Sequence, residues 1–147
     1  MKKRLLTLKN ALKALIMSAM LAFSGWASAN IAIVVHPDNN AVLEKKDIVR
    51  LFLAKVKTFP DGEKATPIDQ MEGTRARHEF LENLLGKSED QLRSYWARLI
   101  FTGRVLPPRT ANSDGEVKKL VAQNPELIGY IQASEVDDTV KVVATFP

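Results

Sequence analysis

Short apolar runs along the chain predict four strands. Ile31–Val35 is continuously apolar and largely β-branched, which predicts a strand covered on both faces, as in a parallel sheet. Three further runs predict one short strand and two closing strands, over residues 67–70, 128–131 and 140–144. Between the strands, apolar residues recur at helical spacing. This alternation of strands and helices predicts an α/β layer fold.

Start and stop signals predict four helices between these strands. Asp47 can cap the first helix, and Gly73-Thr74 opens the second, which stops at Gly86. The third and fourth helices begin at patterns typical of a capping box, in which two side chains three residues apart bond to each other's backbone. These patterns are Ser88 with Gln91, and Ser113 with Glu116.

Residues 101–111 contain a glycine and two prolines and are predicted to form an ordered loop. Three arginines flank this loop, either as a positive rim or as ordinary solvated side chains: Arg98, Arg104 and Arg109. Three aromatic residues at helical spacing just before it are predicted to belong to the core: Tyr95, Trp96 and Phe101.

The first 29 residues have the pattern of a cleavable secretory signal peptide. Residues 1–4 are mostly basic, residues 14–23 are apolar, and small residues precede the predicted cleavage between Ala29 and Asn30. The apolar run is well short of the ~20 residues that a membrane-spanning helix needs. An uncleaved anchor or a buried helix is the alternative. We therefore expect a signal peptide over 1–29, a domain over 30–147, and a soluble protein in the periplasm.

Removal of the signal peptide changes the charge of the domain. The chain has 21 Lys+Arg and 17 Asp+Glu, and five of these bases but none of the acids lie in residues 1–29. The domain over 30–147 therefore has a net charge of −1, so nucleic-acid binding, which needs surplus positive charge, is not expected. The chain has no cysteine, which excludes disulfides, thiolate metal sites, a cysteine nucleophile and lipid attachment through cysteine.

The turn after residues 67–70 is the most informative place for chemistry. A strand end there passes through Gly73 into a helix start, where free backbone N–H groups and the helix dipole favour an anion. Thr74 can add a hydroxyl donor, and Arg75 or Arg77 a guanidinium suited to phosphate or a carboxylate. The alternative is that Gly73 and Thr74 only cap a helix whose arginines are solvated.

Catalysis and metal binding have little support in the sequence. His36 and His78 do not have the spacing of metal ligands. The chain contains no nucleophile elbow, no phosphate-binding P-loop and no dinucleotide fingerprint. We therefore expect a protein that is not an enzyme and that needs neither a metal nor another cofactor.

Several short motifs, in their order along the chain, resemble the substrate-binding proteins of phosphate ABC transporters. They are Ile48 with Leu51-Phe52-Leu53-Ala54-Lys55, then Gly73-Thr74 with Phe80, and then Ile128-Gly129-Tyr130-Ile131. In that family a segment of the type IFLGK precedes an Arg-Ser-Asp-Gly-Ser-Gly-Thr loop, and GAIGYV follows later. Ser113 opens a segment that falls where the family has a Gly-Asn-x-Gly-Val-like helix start. The resemblance covers most of residues 31–145.

The resemblance implies a single periplasmic-binding-protein-like α/β domain of type 2, with a mixed sheet flanked by helices and without most of the second lobe. It implies phosphate or a related oxyanion as the ligand, bound by Gly73, Thr74, Arg75, Arg77 and Ser113. It also implies ABC-type uptake or sensing, with a transporter permease or a membrane receptor as partner. A homodimer or another protein could supply the missing wall of the cleft.

The binding loop departs from the family pattern at Glu72. The family has a serine there, and a carboxylate repels phosphate unless it is screened. The arginine and aspartate of the family loop have no clear counterparts, although Arg75 and Arg77 could compensate. The alternative function is therefore a periplasmic interaction or sensory module that keeps the fold without the ligand.

Overall fold

The computed structural model describes residues 31–103 and 105–147. The predicted signal peptide, with its cleavage position between Ala29 and Asn30, lies outside the described residues. The described part forms a five-stranded mixed sheet with helices on both faces, in the order β3-β2-β4-β1-β5. The α/β fold predicted from the alternating pattern is confirmed.

The strands differ in direction across the sheet. They are β1 (Ile31–Val35), β2 (Thr66–Gln70), β3 (Arg109–Ala111), β4 (Leu127–Gln132) and β5 (Lys141–Phe146). β2 pairs in parallel with β3 and β4, whereas β1 pairs antiparallel with β4 and β5. The parallel pairing predicted for β1 is therefore wrong. Its continuous apolar run reflects helices that cover both faces of the sheet, and such burial does not determine strand direction.

The helices are α1 (Lys45–Phe52), α2 (Arg75–Phe80), α3 (Glu89–Phe101) and α4 (Asp114–Gln123). α2 continues as a π-helical segment, Leu81–Leu85, and ends at Gly86, whose φ of 59° is left-handed as predicted for a helix stop. A short 3₁₀ turn, Ala133–Glu135, follows β4. None of the helices in the described part is both long enough and apolar enough to cross a membrane.

Two of the predicted helix starts need correction. Glu44, and not Asp47, is the first cap; the Asp47 carboxylate accepts the Glu44 N–H at 3.0 Å from inside the helix. At α4 the Ser113 hydroxyl caps as predicted, but Glu116 accepts the N–H of Asn112 at 2.7 Å and so does not complete a capping box. The capping box predicted at Ser88 is confirmed.

The predicted loop 101–111 needs a similar correction, because its last residues form β3. Phe101 is 93% exposed, so its assignment to the core was wrong. Trp96 is buried and Tyr95 packs against the same core, as expected. The apolar face of α3 therefore ends before the last turn of the helix.

The core lies on both faces of β1 and β4. Ile31 and Ile33 belong to a cluster that α1, α2 and α3 cover, whereas Ala32 and Val34 belong to a second cluster that α4 covers. This follows from the alternation of side chains along a strand. In the first cluster the rings of Phe80 and Tyr130 stack, with centroids 3.9 Å apart and planes at 4°. The stack anchors α2 on β4 and thereby positions the turn that precedes α2.

Candidate functional site

Three strand ends and two helix starts meet at one edge of the sheet. Because β2, β3 and β4 are parallel, their carboxyl ends lie at the same edge. α2 follows the end of β2, and α4 follows the end of β3. The N–H of Met71 donates to the carbonyl of Ala111 at 2.9 Å, so the two chain segments stay side by side beyond the strands. In open α/β sheets this edge is where ligands bind.

The turn from Met71 to Thr74 connects β2 with α2. Gly73 has a φ of 91°, which a residue with a side chain rarely adopts. A Cβ added at Gly73 would have no neighbouring atom within 4 Å. Glycine is therefore favoured here by the backbone conformation and not by lack of space. The Thr74 hydroxyl accepts the N–H of Arg77 at 3.3 Å and donates to the Met71 carbonyl at 3.0 Å. Within the described ranges, the N–H groups of Gly73, Arg75 and Ala76 have no hydrogen-bond partner.

Arg77 follows this turn in α2, and all three nitrogens of its guanidinium donate hydrogen bonds to other groups of the protein. Its Nε and Nη2 donate to the two oxygens of Glu89 at 2.7 and 2.8 Å. Its Nη1 donates to Asp69 at 2.5 Å and to the Gln70 carbonyl at 2.9 Å. Burial lowers the pKa of Arg77, but the hydrogen bonds to Glu89 and the charge of Asp69 outweigh it and raise the pKa above its ordinary value.

Asp69 shares its carboxylate between Arg77 and Tyr130. The Tyr130 hydroxyl donates to Asp69 Oδ1, and the N–H of Gln70 lies 2.8 Å from the same oxygen and 3.0 Å from the Tyr130 hydroxyl oxygen. Burial, followed by the negative charge of Asp69, raises the pKa of Tyr130 well above its ordinary value. Tyr130 is therefore a neutral hydrogen-bond donor at physiological pH.

The side chain of Gln70 connects β2 with β4 and with the start of α4. Its Nε2 donates to Asp114 Oδ1 at 2.6 Å and to the Tyr130 carbonyl at 2.9 Å. Asp114 is the first residue of α4, directly after Ser113, whose hydroxyl accepts the Glu116 N–H at 3.2 Å. The structure therefore brings the α4 start that carries Ser113 to the same edge as the α2 start that carries Thr74.

Arg75 and Glu72 are the charged side chains on the solvent side of the turn. Arg75 is 66% exposed and donates through Nε to Glu79 at 2.8 Å, while its two terminal nitrogens have no partner among the described residues. Glu79 in turn accepts from Gln132 at 2.6 Å, at the end of β4. The Glu72 carboxylate pairs with Arg93 at 2.9 Å, so a cation screens the charge that stands in the turn.

Most of the polar network behind the turn was not predicted from the sequence. Its members come from β2, β4 and the starts of α3 and α4: Asp69, Gln70, Glu89, Tyr130 and Asp114. A carboxylate and an amide at the end of a predicted buried strand were the available signal, because buried polar groups need partners. In the described part of the chain, no group of three or more histidine, aspartate or glutamate side chains is placed to bind a metal ion.

Comparison with known proteins finds similarity in the fold alone. No family model matches the chain, and no curated protein sequence matches it. Among solved structures it is similar to a Clostridium perfringens protein assigned as a phosphate ABC transporter substrate-binding protein, with phosphate bound (TM-score 0.62, 24% identity). It is also similar to an ABC-type phosphate transport receptor from Vibrio cholerae (0.63, 21%) and to PstS from Borrelia burgdorferi (0.59, 13%).

These three alignments cover 78%, 78% and 79% of this chain but 45%, 46% and 47% of the other chains. The chain thus spans less than half the length of each of these proteins. The expected resemblance is confirmed at the level of the fold. The chain has the α/β fold of solute-binding proteins of phosphate ABC transporters.

Proposed function

We propose that the chain is an exported solute-binding domain that takes up phosphate or a related oxyanion at the turn between β2 and α2. The observation that carries the proposal is the meeting of two helix starts at the carboxyl edge of parallel strands. One of the structural neighbours has phosphate bound, which supports an oxyanion as the ligand class. The ligand would serve ABC-type uptake or sensing, with a transporter permease or membrane receptor as partner.

The existing hydrogen bonds of Arg75 and Arg77 determine which of the two side chains can bind the anion. Arg77 is already paired with two carboxylates, so its charge is not free for a ligand and it acts by positioning the turn. Arg75 has two unoccupied terminal nitrogens and is exposed, and its Nε is paired with Glu79 one helical turn further on, so its guanidinium must swing back to the helix start to reach the anion. We therefore assign the anion to the N–H groups of the turn, the Thr74 hydroxyl and the Arg75 guanidinium, with Ser113 at the facing helix start.

Binding also requires a small rearrangement of the Thr74 hydroxyl. Its proton now points to the Met71 carbonyl, and it must turn toward the anion for Thr74 to donate. Met71 keeps a second bond from the Thr74 N–H at 3.2 Å, so its carbonyl is not left without a donor. The hydroxyl oxygen can still accept from Arg77, because a hydroxyl both donates and accepts.

The proposal is tested by thermal unfolding of the chain with phosphate, sulfate, molybdate and small carboxylates. A ligand at 100 times its Kd stabilises the folded state by about 2.7 kcal/mol, so the melting temperature rises measurably. Arg75→Gln and Thr74→Ala should abolish the rise, each measured against its own anion-free melting temperature. Arg50→Gln, at an exposed arginine of α1, is the matched control and should keep it. No rise with any anion at millimolar concentration contradicts the proposal.

A second candidate is the interaction or sensory module that keeps the fold without the ligand. The commitment of Arg77 to Asp69 and Glu89 favours it, because the charge of this arginine is then used inside the protein and not by a ligand. This candidate expects a stable dimer or a protein partner in place of anion binding. Size-exclusion chromatography with light scattering distinguishes the two, because a strict monomer that binds phosphate tightly supports only the first.

A further inference from the structure

Three large apolar side chains are exposed close together in sequence, at the end of α3 and in the loop that follows. Phe101 is 93% exposed, Leu106 is 79% exposed and Ile100 is 48% exposed. We call these three residues the apolar tip. Ile100 and Leu106 line one surface depression, and Phe101 directly follows Ile100, so these side chains are not the scattered single apolar residues that a protein surface normally shows. The tip lies outside the β2–α2 edge and has no part in the proposed anion site.

The two chain segments at the apolar tip carry only positive charges. Residues 91–113, which contain the tip, include four arginines and no Asp or Glu. Residues 48–60 include three further bases and again no acid. Since the domain over 30–147 has a net charge of −1, this segregation leaves the acids on the rest of the domain. The positive charge is therefore a local property of this surface.

The two basic segments meet beside the tip. Lys57 lines one surface depression together with Ile100 and Leu106, and it lines an adjacent groove of about 250 Å³ together with Leu106 and Arg109. In the described ranges, Lys57, Arg98 and Arg109 form no ion pair. These three cations are thus available to an anionic partner, whereas Arg93 on α3 is paired with Glu72 and Asp90.

We propose that the apolar tip inserts into the interface of an anionic phospholipid bilayer, with Lys57, Arg98 and Arg109 contacting the headgroups. Phe101 and Leu106 project from the surface, which suits insertion among acyl chains better than a protein ligand held in a groove. Long basic side chains keep their charge at the headgroups while their methylene stems follow the apolar residues. This function is separate from the proposed anion binding and would hold the domain at a membrane surface.

The test uses the absence of cysteine in the chain to place one fluorescent label. Thr102→Cys, next to the tip, and Ser134→Cys, an exposed residue after β4, each carry a polarity-sensitive dye on the full chain. Vesicles contain equal parts of phosphatidylglycerol and phosphatidylcholine, or phosphatidylcholine alone. The proposal expects a blue shift of the Thr102 label with the anionic vesicles only, and no shift of the Ser134 label.

Substitutions on the labelled chain separate the apolar and electrostatic contributions. Phe101→Ser should weaken partitioning about tenfold or more, and Arg98→Gln or Arg109→Gln about fivefold each. Val42→Ser, at an apolar residue that is 84% exposed outside the tip, is the matched control and should leave partitioning unchanged. Salt at about 1 M, where the Debye length is about 3 Å, should largely release the protein.

Three outcomes overturn the proposal. The first is a Thr102 label that does not respond to anionic vesicles. The second is a response that Phe101→Ser leaves unchanged or that the Ser134 label shares, since another part of the chain then makes the contact. The third is a blue shift that appears without vesicles as the protein concentration rises, because the tip is then an interface between two copies.

Discussion

Arg77 and Glu89 form a bidentate ion pair, with Nε–Oε1 at 2.7 Å and Nη2–Oε2 at 2.8 Å. Arg77 lies in α2 and Glu89 is the first residue of α3, so the pair joins the two helices across the bend at Gly86. Because Arg77 also donates to Asp69 in β2, one guanidinium holds three elements together. Arg77, one of the two arginines suggested for the ligand, therefore stabilises the edge of the sheet where the ligand is proposed to bind.

Loss of Arg77 should destabilise the protein strongly. Arg77→Leu leaves the carboxylates of Asp69 and Glu89 without their cation, and the Arg77 side chain is only 11% exposed. We expect a loss of about 3 kcal/mol in the free energy of unfolding, measured with urea. The control is Arg93→Leu, which breaks an exposed pair with Glu72 and should cost less than about 1 kcal/mol. Equal losses in the two variants would contradict this account.

The stability of the protein should fall at alkaline pH because of Tyr130. Its pKa is raised in the folded state, so above about pH 10 the unfolded tyrosine loses its proton while the folded one keeps it. The free energy of unfolding then decreases by up to about 1.4 kcal/mol for each pH unit, until the raised pKa is reached.

Urea unfolding between pH 9 and pH 11 measures this decrease, and Tyr130→Phe should remove it while keeping the ring stacked on Phe80. Tyr95→Phe removes the other tyrosine of the chain and leaves the contact between Tyr130 and Asp69 intact, so it should retain the decrease. A pH profile of Tyr130→Phe that matches the unsubstituted chain would show that another group causes the decrease.

Gly129 should be intolerant of a side chain because α4 lies close to β4. A Cβ at Gly129 would stand 2.5 Å from Val117 Cγ1, well inside contact distance. Gly129→Ala should therefore cost about 1–3 kcal/mol of stability, and Val117→Ala in the same chain should recover part of it. Gly115→Ala meets only Ser113 Oγ at 3.8 Å and replaces a helical glycine, so it should stabilise by about 0.5–1 kcal/mol. Similar stability of the two glycine variants would rule out close packing at Gly129.

Export and cleavage are the predictions that concern residues 1–30. The protein collected from the periplasm of an expressing cell should begin at Asn30 when its mass is measured. Ala29→Leu disturbs the small-residue pattern before the cleavage position and should leave the chain uncleaved. A protein that retains residues 1–29 without any substitution would favour the uncleaved anchor.

Local signals in the sequence were sufficient for most elements of the fold. The β-branched run at Ile31–Val35, the stop at Gly86 and the capping box at Ser88 each depend on neighbouring residues, and all three are confirmed. β3 was missed because Arg109–Ala111 is a three-residue strand with two exposed side chains, and its pairing with β2 is its main support. A strand of that kind has no local pattern to recognise.

The candidate site shows the same division between local and long-range information. The helix start at Gly73 and Thr74 was predicted because a glycine and a hydroxyl at a helix start are a local signal. The network behind them was missed because Tyr130 contacts Asp69 across 61 positions. Glu89 pairs with Arg77 across 12 positions, whereas its place in the sequence suggested only the first turn of a helix. Such pairs become visible only once the strand order is known.

The most direct test of oxyanion binding is a phosphate titration of the ¹⁵N-labelled protein, followed through its backbone amide signals. Binding predicts saturable shifts of the Gly73, Thr74, Arg75 and Ala76 amides, with smaller shifts at the start of α4 near Ser113. The same titration on Arg75→Gln should show much weaker saturation. Absence of shifts at millimolar phosphate, or shifts confined to another surface, would contradict the proposal that this turn binds the anion.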